Sequence, residues 1–268
     1  MPAPLTSHVQ QAFDDWTAAL EARHLRDLTF QEVARALRAL SSCYVERRAR
    51  LASGGALEGR GKRAAFALFY GPLHFLITAH VLSASRAEVP ARTTLVDLGC
   101  GTGAAGAAWA LLAGGGGDIL GVDRSAWAAG EAEWTWRTMG IRGRAVRGDV
   151  LKLRWPRGRH AVLAAFAVNE LPAAARDALR QRLVQAAADG DEVLVIEPLA
   201  GAAAPWWNDW VEAFAPVGGE QRTWRVSAGL PALVARLDRA AGLDHRELTA
   251  RSLRAGAPNA ALSGDAPP

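Results

Sequence analysis

Residues 95–106 read Leu-Val-Asp-Leu-Gly-Cys-Gly-Thr-Gly-Ala-Ala-Gly. Asp97 stands two residues ahead of three alternating glycines, Gly99, Gly101 and Gly103. An apolar run leads into this segment and a run of small residues follows, so it joins a strand to a helix. Glycines remove Cβ atoms where the backbone must turn sharply and approach a ligand. The helix N-terminus beyond them offers unpaired N–H groups to a carboxylate or phosphate. A second apolar run ends at Asp123. A carboxylate at a strand end accepts both hydroxyl hydrogens of a ribose. Two nucleoside ligands compete for this pattern. Gly101-x-Gly103-x-x-Gly106 satisfies the dinucleotide fingerprint, with Asp123 about twenty residues on. Asp97 favours the other: a pyrophosphate gains nothing from a nearby carboxylate, whereas a ligand ammonium does.

Further chemistry-bearing residues follow strand-like runs. Asp149 and Val150 close a third, and Asn169 and Glu170 a fourth. Asn169 suits a substrate amine or hydroxyl. Glu170 suits a base, or a cap for the helix that starts near Pro172. Trp206, Trp207 and Trp210 follow the fifth run, where an aromatic lid would stack a planar substrate; packing in the core is the competing role. The two cysteines, Cys43 and Cys100, are too few for a four-cysteine zinc site and are poor nucleophile candidates. The six histidines have no metal-ligand spacing, so no metal is expected. His74 and His80 read as helix histidines, and His160 as a surface residue.

These positions need a scaffold of alternating strands and helices. Strands are predicted near residues 95–98, 119–123, 144–150, 161–168 and 193–197. Helices are predicted over 104–113, 127–139, 173–188 and 230–241, with a late strand within 243–253. Such alternation predicts a parallel sheet covered on both faces. Residues 1–90 read as helical. Helical spacing runs through residues 9–23, and Thr29 with Glu32 forms a capping box. Residues 64–82 are nearly uncharged and almost long enough to cross a bilayer. Gly71-Pro72 at their centre, with His74 and His80, instead predicts a buried, kinked helix and no membrane partner. The expected organisation is a helical domain at 1–90, a ligand-binding domain at 91–254 and a flexible tail at 255–268.

Of the 268 residues, 50% are hydrophobic and 22% charged, which excludes a disordered or collagen-like chain. Net charge is +4, and lysine occurs only at Lys62 and Lys152, so the basic residues are almost all arginine. The basic runs 46–50 and 60–63 suit phosphates or a solvated helix face equally. Two cysteines and no secretory signal predict a cytoplasmic protein.

The segment Asp97-Leu-Gly99-Cys-Gly101-Thr-Gly103 resembles the first motif of the class I S-adenosylmethionine-dependent methyltransferases. In that resemblance Asp123 matches the ribose-binding acid. Asp149, in Arg147-Gly148-Asp149-Val150, matches the adenine-contacting acid. Residues 165–172, with Asn169-Glu170-Leu171-Pro172, match the fourth-strand segment that borders the transferable methyl. The resemblance covers roughly residues 90–200. It implies a Rossmann-like α/β sheet, S-adenosyl-L-methionine as cofactor, and in-line methyl transfer to a nucleophile on RNA or a small planar molecule. Cys100, Arg124 and Val150 join Asp97, the glycines, Asp123 and Asp149 as implied cofactor-binding residues. More loosely, the helical N-terminus, Asn169-Glu170-Leu171-Pro172 and Ile196-Glu197-Pro198 resemble the methyltransferase-like family associated with the small ribosomal subunit. That family often has a cysteine cluster, which is missing here. This looser resemblance implies RNA or the ribosome as partner, and as an alternative function a non-catalytic ribosome-assembly or binding protein.

Overall fold

The structure, a computed structural model, describes residues 5–46, 57–85, 93–114, 117–199, 204–227 and 229–256. The basic residues 47–50, the Ser53-Gly54-Gly55 break and residues 257–268 of the expected tail lie outside the described residues.

Helix α1 (Ser7–His24) buries Val9, Phe13, Trp16 and Leu20, one face at helical spacing. Helix α2 (Phe30–Glu46) begins at the expected capping box. The Thr29 backbone N–H donates to Glu32 Oε2 at 2.7 Å, and the Glu32 N–H donates to Thr29 Oγ1 at 3.3 Å. Helix α3 (Arg60–Ala84) is apolar on nearly all sides. It is long and apolar enough to cross a membrane, yet 78% of its most apolar stretch is buried within the molecule. At Pro72 the helix departs from regular α geometry. The proline ring would collide with the carbonyl four residues back. The preceding turn instead widens to π geometry over Phe66–Tyr70, with the Gly71 N–H reaching back to the Phe66 carbonyl.

The remainder is a seven-stranded sheet: β1 (Thr94–Leu98), β2 (Ile119–Asp123), β3 (Gly143–Arg147), β4 (His160–Ala165), β5 (Glu192–Glu197), β6 (Glu220–Val226) and β7 (Leu248–Ala255). Their spatial order is β3-β2-β1-β4-β5-β7-β6. The first five run parallel, and β7 lies antiparallel to both β5 and β6. The expected α/β class stands, but the sheet is mixed rather than wholly parallel. Strand β6 escaped the sequence reading because only Trp224 and Val226 of its seven residues are buried, the rest being polar and solvent-facing at the sheet edge. The connecting helices are α4 (Ala104–Leu112), α5 (Ala126–Thr138), α6 (Ala173–Ala188), α7 (Trp207–Phe214) and α8 (Ala232–Ala241).

Successive strand residues point to opposite faces. Leu95, Ile119, Leu163 and Leu194 join one core with α1, α2, α3, α4, α5 and α8. Val96, Val122, Val162 and Val195 join the other with α6 and α7. The N-terminal helices therefore share a core with one face of the sheet. Polar contacts fix them to α5: Trp16 Nε1–H donates to Thr135 Oγ1 at 3.3 Å, and Arg23 and His24 both meet the buried Glu131. His160 is buried at the start of β4, not on the surface as expected, with Nδ1 3.0 Å from the Gly158 carbonyl and Nε2 3.2 Å from Asp191.

Candidate active site

The C-terminal ends of β1, β2 and β4 face one cavity, where a doubly wound sheet binds its ligands. Its floor is the turn after β1. Gly99 and Cys100 donate N–H bonds to the Val122 carbonyl at 2.9 and 3.0 Å, which ties the turn to β2. Gly99, Gly101 and Gly103 all have positive φ, at 71°, 52° and 78°. Glycines here also make room for neighbours. A Cβ on Gly103 would lie 2.7 Å from Trp136 Nε1, which donates to the Gly103 carbonyl at 2.8 Å. A Cβ on Gly106 would lie 2.5 Å from Asp97 Oδ2.

Asp97 is 1% exposed, and its Oδ2 has no hydrogen-bond partner among the described residues. Burial, reinforced by the charge of Asp123, pushes its carboxyl up to about 7, against the opposing pull of the Gly106 N–H. A buried carboxylate without a cation is expensive, and a ligand ammonium relieves that cost. Asp123 receives N–H bonds from Gly101 at 3.0 Å and Ser125 at 2.7 Å, one on each oxygen. Each oxygen keeps a second lone pair for a ribose hydroxyl. Burial raises the Asp123 carboxyl despite these bonds. Cys100 also lines the cavity, and burial with the nearby carboxylates pushes its thiol well above the ordinary range, so it is no nucleophile.

After β4 the chain turns sharply. Phe166 holds φ 58°, the left-handed region, which costs a bulky residue on the order of 1–3 kcal/mol. Its ring stacks on His74 of α3, with centroids 4.1 Å apart and planes at 10°. A 3₁₀ turn over Val168–Glu170 follows. Glu170 faces the cavity, and burial together with the charge of Asp123 pushes it up to about 7. Behind it lies Glu197, fully buried at the end of β5, where Oε1 accepts the N–H groups of Val168 at 2.7 Å and Asn169 at 3.3 Å. Burial pushes Glu197 up to about 8. The sequence reading gave Glu197 no chemical role; an acid ending an otherwise apolar strand was its signal.

Of the expected residues, Asp97, Gly99, Cys100, Gly101, Asp123, Arg124, Val150 and Glu170 line this one cavity. Gly103 does not; it is the left-handed start of α4. Asp149 does not line it either, and its Oδ1 accepts the Leu151 N–H at 2.9 Å. Asn169 points away, with Oδ1 accepting Trp206 Nε1–H at 3.0 Å. The lid expectation for the tryptophans is corrected. Trp206, Trp207 and Trp210 are 8%, 3% and 1% exposed and pack with Phe214 in the core beneath the other face of the sheet. Helix α7 is too apolar on one side to stand free of the sheet. Among the lining residues outside the predicted set are Leu57, Phe66 and His74 from the N-terminal region, and Phe166.

Residues 95–190 match the family model described as a methyltransferase domain. No curated protein sequence matches the chain. Among solved structures, a proposed O-methyltransferase from Nostoc punctiforme shares the fold at TM-score 0.52 and 16% identity, over 82% of this chain and 71% of that one. Magnesium protoporphyrin IX methyltransferase from Synechocystis, with bound S-adenosylmethionine, matches at TM-score 0.46 and 14% identity over 96% and 100%. The plantazolicin methyltransferase, in complex with S-adenosylhomocysteine, matches at 0.45 and 10% over 93% and 99%. The cavity asks for a ligand with an ammonium at Asp97 and a ribose at Asp123. Residues 95–190 carry a methyltransferase domain, and S-adenosylmethionine is the cofactor this cavity fits.

Proposed function

We propose that the enzyme methylates a small planar molecule within the cavity. The observation that carries this reading is the aromatic wall of Phe66, His74 and Phe166 on the same cavity as Asp97, Asp123 and Glu170. An RNA acceptor has less to hold it: of the basic run 60–63, Arg60 and Arg63 donate to the carbonyls of Asp27 and Leu57, and Arg63 also lies over Trp127.

When bound, the cofactor supplies a methyl group already activated on a sulfonium. The chain must align a nucleophile with it and exclude water, which is worth on the order of 7–11 kcal/mol for well-held reactants. Asp97 and Asp123 hold the ligand's two ends. Phe66 and Phe166 close the cavity with apolar surface. Glu170 accepts the proton of a hydroxyl or N–H nucleophile, and its carboxyl, poised at about 7, suits that task near neutral pH. Asn169 and Glu197 position the 3₁₀ turn that carries it.

Incubation with methyl-labelled S-adenosylmethionine and fractionated extract of the source cells tests the acceptor class. Label is expected in small aromatic molecules. Label in ribosomal RNA would overturn this reading in favour of an RNA or ribosome-bound acceptor. Glu170→Gln should lower turnover by about 10²–10⁴-fold, the usual range for a positioned base. Its S-adenosylhomocysteine affinity should stay close to wild type. Full turnover in that variant would remove Glu170 from the chemistry.

The raised carboxyls also fix a pH dependence. Asp97 and Glu170 lie at about 7 and Glu197 at about 8 in the folded chain. Protonated, they stabilise the fold below the ordinary carboxylate range. That contribution is lost as pH rises from roughly 4 through roughly 7 to 8. The cofactor-free protein is therefore expected to melt earlier at about pH 8.5 than at about pH 5.5. S-adenosylmethionine, cationic at both ammonium and sulfonium, should bind more tightly as pH rises from about 6 to about 8. Calorimetric affinities that stay flat over that interval would contradict the assignment of Asp97.

A further inference from the structure

The π turn in α3 sits directly on the glycine loop. Phe66 packs near Gly101, where a Cβ would be 3.6 Å from its ring, and Gly71 faces Thr102. In an uninterrupted α-helix Phe66 and His74, eight positions apart, would point about 80° apart. The extra residue of the π turn brings them within about 20°, on one face. Their rings lie 6.2 Å apart and both line the cavity. Asp123 ends β2, while Phe166 follows β4 on the far side of β1. The backbones at the ends of β2 and β4 are two strand spacings, about 10 Å, apart.

His74 is half-buried and makes no hydrogen bond among the described residues, and desolvation by the surrounding protein pushes it down to about 4. It is thus a neutral imidazole at pH 7. A neutral imidazole presents one nitrogen as donor and one as acceptor. An unpartnered polar ring on the wall of a cavity is costly unless a ligand completes it.

We propose that His74, set on the cavity wall by the π turn and held flat by Phe166, is the positioning residue that accepts a hydrogen bond from a planar hydroxyl or N–H acceptor as it docks, before Glu170 takes that proton as the bond to the methyl carbon forms. This deepens the planar-acceptor reading and rests on it. The acceptor class is a phenol or nitrogen heterocycle that packs against the aromatic wall of Phe66 and Phe166 while His74 selects for the unmethylated form. The methylated product has lost that hydrogen and binds less well, which favours its release.

The test uses the full chain saturated with S-adenosylhomocysteine and two probe pairs: naphthol with methoxynaphthalene, and indole with N-methylindole. NMR titration should show the hydroxyl and N–H members binding about tenfold more tightly than their methylated counterparts, the scale of one hydrogen bond. His74→Phe keeps a flat ring and should reduce both ratios to about one, with S-adenosylhomocysteine affinity retained. His74→Gln keeps an acceptor and should restore part of the preference. In the wild type, the ¹⁵N resonances of the His74 ring should move with naphthol and not with methoxynaphthalene. Unchanged ratios in His74→Phe, or a ring that does not respond to naphthol while naphthol binds, would overturn the assignment of His74. Wild type that binds neither pair would overturn the planar-acceptor reading itself.

Discussion

Trp210→Ala is expected to destabilise the protein by about 3–5 kcal/mol, the cost of emptying a large buried aromatic site. Trp210 is 1% exposed. It stacks on Phe214 with centroids 6.1 Å apart and meets Trp206 at 4.8 Å, so one deletion opens a cavity between two large rings. For a chain of this length the loss corresponds to a melting point lowered by roughly 10 °C. Affinity for S-adenosylhomocysteine, measured where the variant is folded, should stay close to wild type, because Trp210 does not line the cavity. Trp206→Ala should differ. It also removes the donor to Asn169 Oδ1, so it should slow turnover as well as lower the melting point. A Trp210→Ala protein that melts like wild type but loses turnover would return these residues to the role of a lid.

Asp123→Ala is expected to weaken S-adenosylhomocysteine binding by about 1.5–3 kcal/mol, or roughly 10- to 150-fold, the scale of hydrogen bonds to a charged group. The carboxylate has two functions. It is placed at the end of β2 for a pair of ribose hydroxyls, and it holds the glycine loop through the Gly101 N–H. Asp123→Asn keeps one carbonyl acceptor and should lose less. Folding should survive in both, since burial already raises this carboxyl and its charge is no asset to the cofactor-free fold. A folded Asp123→Ala protein with unchanged affinity would remove the ribose from this strand end.

The parts of the site that lie close together in sequence were legible before the fold was known. Asp97 and the glycine loop span a few residues, and their spacing alone implies a strand, a turn and a ligand. Asp123 and Glu170 were legible because each ends an apolar run, and strand ends in such sheets face the crevice. His74 was not legible. Its place depends on a π turn that no hydrophobic pattern announces, and on Phe166, a residue from the other half of the chain. Trp206, Trp207 and Trp210 misled for the opposite reason: aromatic residues after a strand suit a lid or a core equally, and only packing decides. Strand β6 was missed because an edge strand with one wet face lacks the apolar run that marked the central strands.

The most direct test of the account is calorimetric titration of the purified full chain with S-adenosylhomocysteine and, separately, with NAD. The carboxylates at Asp97 and Asp123 predict one-to-one binding of S-adenosylhomocysteine and no comparable heat from NAD. Tighter binding of NAD, or no binding of S-adenosylhomocysteine by folded protein, would contradict the assignment of this cavity.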